Sequence, residues 1–150
     1  MPKTNRIKGI FKPFGGVHSP IAYVTVLNGA TESLRGIALL DTGADCTIMS
    51  MDAAIVMLGM SRAEIEKNKL PDSTVADEKK IKSYTVKRDI RLWHEKSGGD
   101  FIPIDNATIC IFDSGLLRGF SVLIGQLDGF SEKVFRHQNR KANRVWELWT

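Results

Sequence analysis

Two cysteines in 150 residues are too few for a disulfide framework. The three histidines, His18, His94 and His137, are widely separated. With no Cys-x-x-Cys or His-x-x-x-His pair in the chain, nothing local supports a metal site, and neither a metal nor another cofactor is expected. No apolar run approaches the roughly 18 residues of a membrane span. The basic start, Met1 to Arg6, leads into Lys12, Pro13 and two glycines rather than an apolar stretch, so no secretory signal is read and a cytoplasmic protein without a membrane partner is expected. Gly15-Gly16 and Gly98-Gly99 lack the lysine and helix of a phosphate loop, and no Gly-x-Ser-x-Gly elbow occurs. The formal net charge is only +4. Arg136, Arg140, Lys141 and Arg144 cluster near the C-terminus, but no aromatic side chains are interleaved among them for base stacking. The balance is therefore against nucleic acid as a partner.

What is present is a chain that can bury a core. It is 43% hydrophobic and 25% charged, without repeats, low-complexity tracts or a convincing linker. Ile21 to Leu27 is a β-rich run that ends in the turn signal Asn28-Gly29, and Leu34 to Leu40 returns as a second strand. Ser50 can cap a helix over Met51–Leu58, and a further short helix is predicted between Ser61 and Lys69. Two β-rich arms between Thr74 and Trp93 flank the polar stretch Ala76 to Lys80. Strands are predicted at Phe101–Ile104 and Thr108–Phe112, a helix over Leu127–Phe135, and a last strand over Val145–Trp149. Residues 1–19 read as an N-terminal extension and 20–150 as one domain.

The most informative run is Ala38-Leu39-Leu40-Asp41-Thr42-Gly43-Ala44-Asp45-Cys46-Thr47-Ile48-Met49-Ser50. An apolar strand would carry Asp41 to the floor of a cleft, where low dielectric makes ionising two neighbouring carboxylates costly. Thr42 offers a hydroxyl that both donates and accepts, Gly43 allows a tight loop, and Asp45 can accept from the N–H groups of an extended peptide. A second apolar strand with a glycine follows at Val122-Leu123-Ile124-Gly125, where Gly125 permits two backbones to approach closely. Cys46 reads as a small core residue near the site, where oxidation would inhibit.

Together these motifs resemble the retropepsin-like aspartic proteases over roughly residues 20 to 149. The resemblance implies an all-β fold, a closed acid-protease barrel with one to three short helices and one lobe per chain. It implies Asp41 as the catalytic residue, with Thr42, Gly43 and Ala44 completing the active-site loop. Asp45, Ile48, Val75, Ala76, Ile124 and Gly125 are the implied substrate-binding residues. The polar stretch around Asp77 takes the position of the family's flap, without its usual glycines, and a plain exposed hairpin is an equal alternative. Gln126 stands where retroviral members usually carry an arginine paired with the carboxylate equivalent to Asp45, which leaves the partner of Asp45 open.

Such chemistry needs two carboxylates around one water. One motif supplies half a site, so a homodimer acting on a peptide or protein substrate is expected, with Asp41 contributed by each subunit. Asp113-Ser114-Gly115 could offer a second carboxylate within the chain, but it reads better as a hairpin turn between Thr108–Phe112 and Phe120–Ile124. The strand Val145–Trp149, apolar on both faces, needs cover on both sides, either as an internal strand or, the slightly favoured reading, by joining a partner's strands at the dimer interface. Ala44 provides no hydroxyl to the carboxylates, which points to an optimum at about pH 5 to 6. The alternative is a non-catalytic dimerisation or peptide-binding module with the same fold.

Overall fold

The computed structural model describes residues 3–14, 16–74, 80–113, 119–130, 133–140 and 143–150. Among the described residues, eleven strands and two short α-helices run in the order β1 (Arg6–Phe14), β2 (Val17–Asn28), β3 (Thr31–Glu32), β4 (Gly36–Leu40), β5 (Thr47–Ser50), α1 (Met51–Leu58), α2 (Arg62–Glu66), β6 (Lys69–Thr74), β7 (Lys80–Trp93), β8 (Phe101–Phe112), β9 (Val122–Ile124), β10 (Val134–Arg140) and β11 (Asn143–Trp149). A single π-helical turn, Gln126–Phe130, follows β9.

Six strands close a ring in the order β2-β4-β9-β5-β8-β7, with β7 pairing back onto β2. This is the closed barrel expected from the sequence, and closure removes the free edges an open sheet would expose. Period-2 alternation fills it: Ala22, Val24, Val26, Ala38, Leu40, Met49, Ile109, Ile111, Val122 and Ile124 point into the main core. The opposite parity on β2, Ile21 and Tyr23, packs with Trp93 and Phe101 in a smaller cluster outside the barrel. Coverage on both sides explains why β2 reads as a continuous apolar run.

Helix α1 follows its sequence signals. The Ser50 hydroxyl accepts from the Ala53 N–H at 3.2 Å, and Gly59 ends the helix at φ 62°. Ser61 and Glu64 form a reciprocal capping box on α2.

Several expectations change. Residues 101–112 form one strand rather than two, because Asn106 adopts φ 52° and its N–H donates to Asp89 Oδ1 at 2.7 Å, converting the anticipated break into a bulge. The helix predicted over Leu127–Phe135 is limited to the π-turn. From Val134 the chain is strand, its backbone bonded to β11 while the Phe135 ring packs tilted against Phe130, with centroids 5.2 Å apart. The predicted hairpin between β8 and β9 does not form: β5 lies between them, parallel to β8 and antiparallel to β9. Residues 6–14, expected in an N-terminal extension, pair with both β2 and β11. The terminal strand β11 lies between β1 and β10 of its own chain, so both its hydrogen-bonding edges are occupied. Its two-sided apolar pattern is met internally, with Trp146 and Leu148 buried and Arg6 and Arg136 lying over Trp149.

Candidate active site

β4 delivers Asp41 to one end of the barrel. The Asp41 N–H donates to the Ile124 carbonyl at 3.0 Å, carrying the parallel β4–β9 ladder past the end of β4. The chain then folds back: the Ala44 N–H donates to the Asp41 carbonyl at 3.2 Å, and the Gly43 N–H donates to Asp41 Oδ1 at 2.9 Å. One carboxylate oxygen is thus fixed by the loop itself. Asp41 is half-buried, whereas Thr42 and Gly43 are exposed.

The second motif supports this loop from below. A Cβ on Gly125 would lie 2.1 Å from the Cys46 carbonyl oxygen and 2.9 Å from that of Ala44, so only glycine fits. The Gly125 N–H donates to Thr47 Oγ1 at 3.3 Å and the Gln126 N–H to the Ala44 carbonyl at 2.9 Å. The Gln126 side chain adds a third tie, its Nε2 donating to the Thr42 carbonyl at 2.8 Å. Gln126 therefore ties the loop backbone, a contact that the sequence left open. The available signal was an amide donor directly after the bracing glycine, next to a tight loop with carbonyls to satisfy. Asp45 is exposed, and among the described residues no hydrogen bond or ion pair holds its carboxylate.

Beside Asp41 the outer face of the barrel carries one cross-strand row. Leu39 on β4 pairs with Leu123 on β9, Leu123 with Ile48 on β5, Ile48 with Cys110 on β8, and Cys110 with Thr85 on β7. All five are half-buried. This row forms a largely apolar strip next to the carboxylate. Ile48, one of the wall residues expected from the sequence, lies in this row. Ile124 does not: it is 0% exposed in the core. The parity of β9 turns Leu123, not Ile124, to the outer face, and Leu123 is the residue the sequence left out. Val75 and Ala76, the other expected wall residues, lie outside the described residues, as does the polar stretch through Lys79.

Asp113 is remote from this loop. β5 runs antiparallel to β9 and parallel to β8, so the C-terminal end of β8 lies at the opposite end of these strands from Asp41. There Asp113 pairs with Arg62 of α2, and its N–H donates to the Lys82 carbonyl at 3.1 Å.

Cys46 is half-buried rather than in the core. Its thiol is held down at about 7, first by a hydrogen bond from Cys110, while burial and the Asp45 charge push it up. The Cys110 thiol is pushed up by giving that hydrogen bond, by burial and by the charge on Cys46. Among the described residues no group of three or more His, Cys, Asp or Glu side chains could hold a metal ion, and no helix is long and apolar enough to cross a membrane.

Among solved structures, the chain is similar to a retropepsin-like aspartic protease from Rickettsia conorii, with a TM-score of 0.61 over 97% of this chain and 100% of that one. The fold is that of a retropepsin-like aspartic protease. Sequence identity across the match is 16%, so the likeness lies in the fold and not in the residue sequence as a whole. No protein-family model and no curated protein matches the chain. Within this retropepsin-like fold, the Asp41 loop and the Gly125 strand interlock as the two sequence motifs imply.

Proposed function

We propose that the chain is an aspartic endopeptidase, active as a homodimer in which each subunit contributes Asp41. The carrying observation is the braced Asp41 loop: its carboxylate is fixed by the Gly43 N–H, and its backbone is tied to Ile124 and Gln126 at the head of an apolar row. One such loop supplies half of a two-carboxylate site, and Asp113, paired with Arg62, lies away from it.

In the mechanism the two Asp41 carboxylates share one proton around a water. The ionised one takes a proton from the water as it attacks the peptide carbonyl, and the protonated one donates to the carbonyl oxygen. Collapse of the tetrahedral intermediate passes a proton to the leaving amine. The titration belongs to the pair rather than to either subunit. Thr42, exposed at the tip of the loop, is placed in this reading to meet its symmetry mate, and Asp45 to accept N–H groups of an extended substrate. Leu39, Leu123 and Ile48 receive apolar substrate side chains.

Incubation of the purified protein with a diverse peptide mixture between about pH 4 and 7, with cleavages mapped by mass spectrometry, tests this reading. Cleavage by wild type and none by Asp41→Asn is expected. Absence of cleavage by a folded, dimeric wild type would instead favour a peptide-binding or dimerisation module.

A further inference from the structure

The chain contains two cysteines, and the fold brings both to neighbouring positions on the β5–β8 pair. Cys110 is the β8 member of the row that includes Leu39, Leu123 and Ile48. Cys46 immediately precedes β5 and lies two residues before Ile48, the register partner of Cys110, so strand parity turns it to the same face. Both are half-buried free thiols, and each is the largest influence on the other's titration.

The backbone of Cys46 is also part of the loop's support. Its carbonyl packs 2.1 Å from where a Cβ on Gly125 would stand, and Ala44, two residues before, and Thr47, directly after, are tied to the residues that follow β9. Ala44 accepts from the Gln126 N–H at 2.9 Å, and Thr47 Oγ1 accepts from the Gly125 N–H at 3.3 Å. A pull on Cys46 therefore reaches the junction that positions Asp41.

We infer that Cys46 and Cys110 form a reversible thiol-oxidation site, closing to an intramolecular disulfide that switches off the adjacent carboxylate loop. The oxidant class is a low-molecular-weight disulfide. The Cys46 thiolate attacks one sulfur of that disulfide, forming a mixed disulfide and releasing one small thiolate. Cys110, as it loses its proton, attacks the Cys46 sulfur and expels the second. Two protein thiols are oxidised to one disulfide, and the small disulfide is reduced to two thiols.

The lowered Cys46 thiol supplies the first nucleophile near neutral pH, and Cys110, on the adjoining strand, resolves the intermediate. A disulfide needs its two Cβ atoms about 3.5–4.5 Å apart. For a diagonal pair on neighbouring strands, closure draws Cys46 along β8, away from its seat on Gly125. Bonds strained in this way are the readily reduced ones.

The effect on catalysis rests on the proposed peptidase reading; bond formation does not. The test is to treat the reduced, folded protein with oxidised glutathione and map its peptides under non-reducing conditions, assaying peptide cleavage before and after dithiothreitol. A Cys46–Cys110 linked peptide is expected, with cleavage falling about ten- to a hundredfold and returning on reduction, as for a displaced catalytic group. Cys110→Ser, whatever its basal rate, should form no internal link. The inference is overturned if the folded protein gives no linked peptide under conditions that link the urea-unfolded chain. It is equally overturned if the link forms and an active enzyme keeps its full rate. A preparation that forms the link but cleaves nothing even when reduced would count against the peptidase reading while supporting the oxidation site.

Discussion

The Gln126 side chain donates to the carbonyl of Thr42 at 2.8 Å, tying the residue after the bracing glycine to the residue after the candidate catalytic aspartate. A neutral amide thus holds the loop backbone, and Asp45 stays exposed. Gln126→Ala should loosen the loop without disturbing the barrel. A loss of about 0.5–1.5 kcal/mol is the usual worth of such a bond, so kcat/KM should fall about two- to tenfold with little change in Tm. Steady-state kinetics beside a thermal melt would check this, and an unchanged kcat/KM would count against a positioning role.

Asp41→Asn keeps a side-chain oxygen that can accept from the Gly43 N–H, the bond that fixes the loop at 2.9 Å in the native chain. Folding and self-association should persist while cleavage falls by at least about 10²–10⁴-fold, the scale of lost acid–base catalysis. Asp113→Asn, which removes only an ion-pair partner of Arg62, should leave cleavage in place. Parallel peptidase and sedimentation measurements distinguish the two carboxylates.

Gly125→Ala would set a methyl group 2.1 Å from the Cys46 carbonyl oxygen and 2.5 Å from its carbon. Both atoms are backbone, so neither can rotate away. A cost of about 1–3 kcal/mol or more is expected, seen as a lower midpoint in urea. At Gly129 the nearest atom is the side-chain Ile124 Cγ2, at 2.7 Å, and Gly129→Ala should be milder.

Leu123 and Ile124 are adjacent but face opposite ways. Ile124→Ala empties a fully buried site and should cost about 2–5 kcal/mol of stability. Leu123→Ala, at a half-buried position of the outer row, should cost less stability and change which peptides are cut. Urea melts combined with cleavage profiling separate these outcomes.

Cys46 alkylation offers a pH-dependent readout. Its thiol is held at about 7, chiefly by the hydrogen bond from Cys110 and against burial and the Asp45 charge. The reactive thiolate should therefore accumulate as pH rises through about 7, and the rate of iodoacetamide labelling should rise with it. In Cys110→Ser the midpoint should move if the thiol hydrogen bond is what lowers it. Labelling at Cys46 that rises only near the ordinary thiol range in the native chain would contradict this assignment.

The amino-acid sequence by itself determined the local pieces. Helix α1, from the Ser50 cap to Gly59, is legible because a helix end is closed by residues a few positions away. The strand entering Asp41 and the glycine that follows β9 are legible for a similar reason: each imposes a local requirement, apolar burial or the absence of a Cβ. Tertiary structure alone decided who neighbours whom. β9 inserts between β4 and β5, separating β8 and β9 that looked like a hairpin; β11 is enclosed by β1 and β10 rather than left for a partner. It also decided that Leu123 faces outward, that Gln126 reaches Thr42, and that Cys46 meets Cys110. Alternation along a strand says that two faces exist, but in a short apolar strand such as Val122–Ile124 it does not say which face is inside. That choice belongs to pairings between segments far apart in the chain, whose energies no local pattern contains.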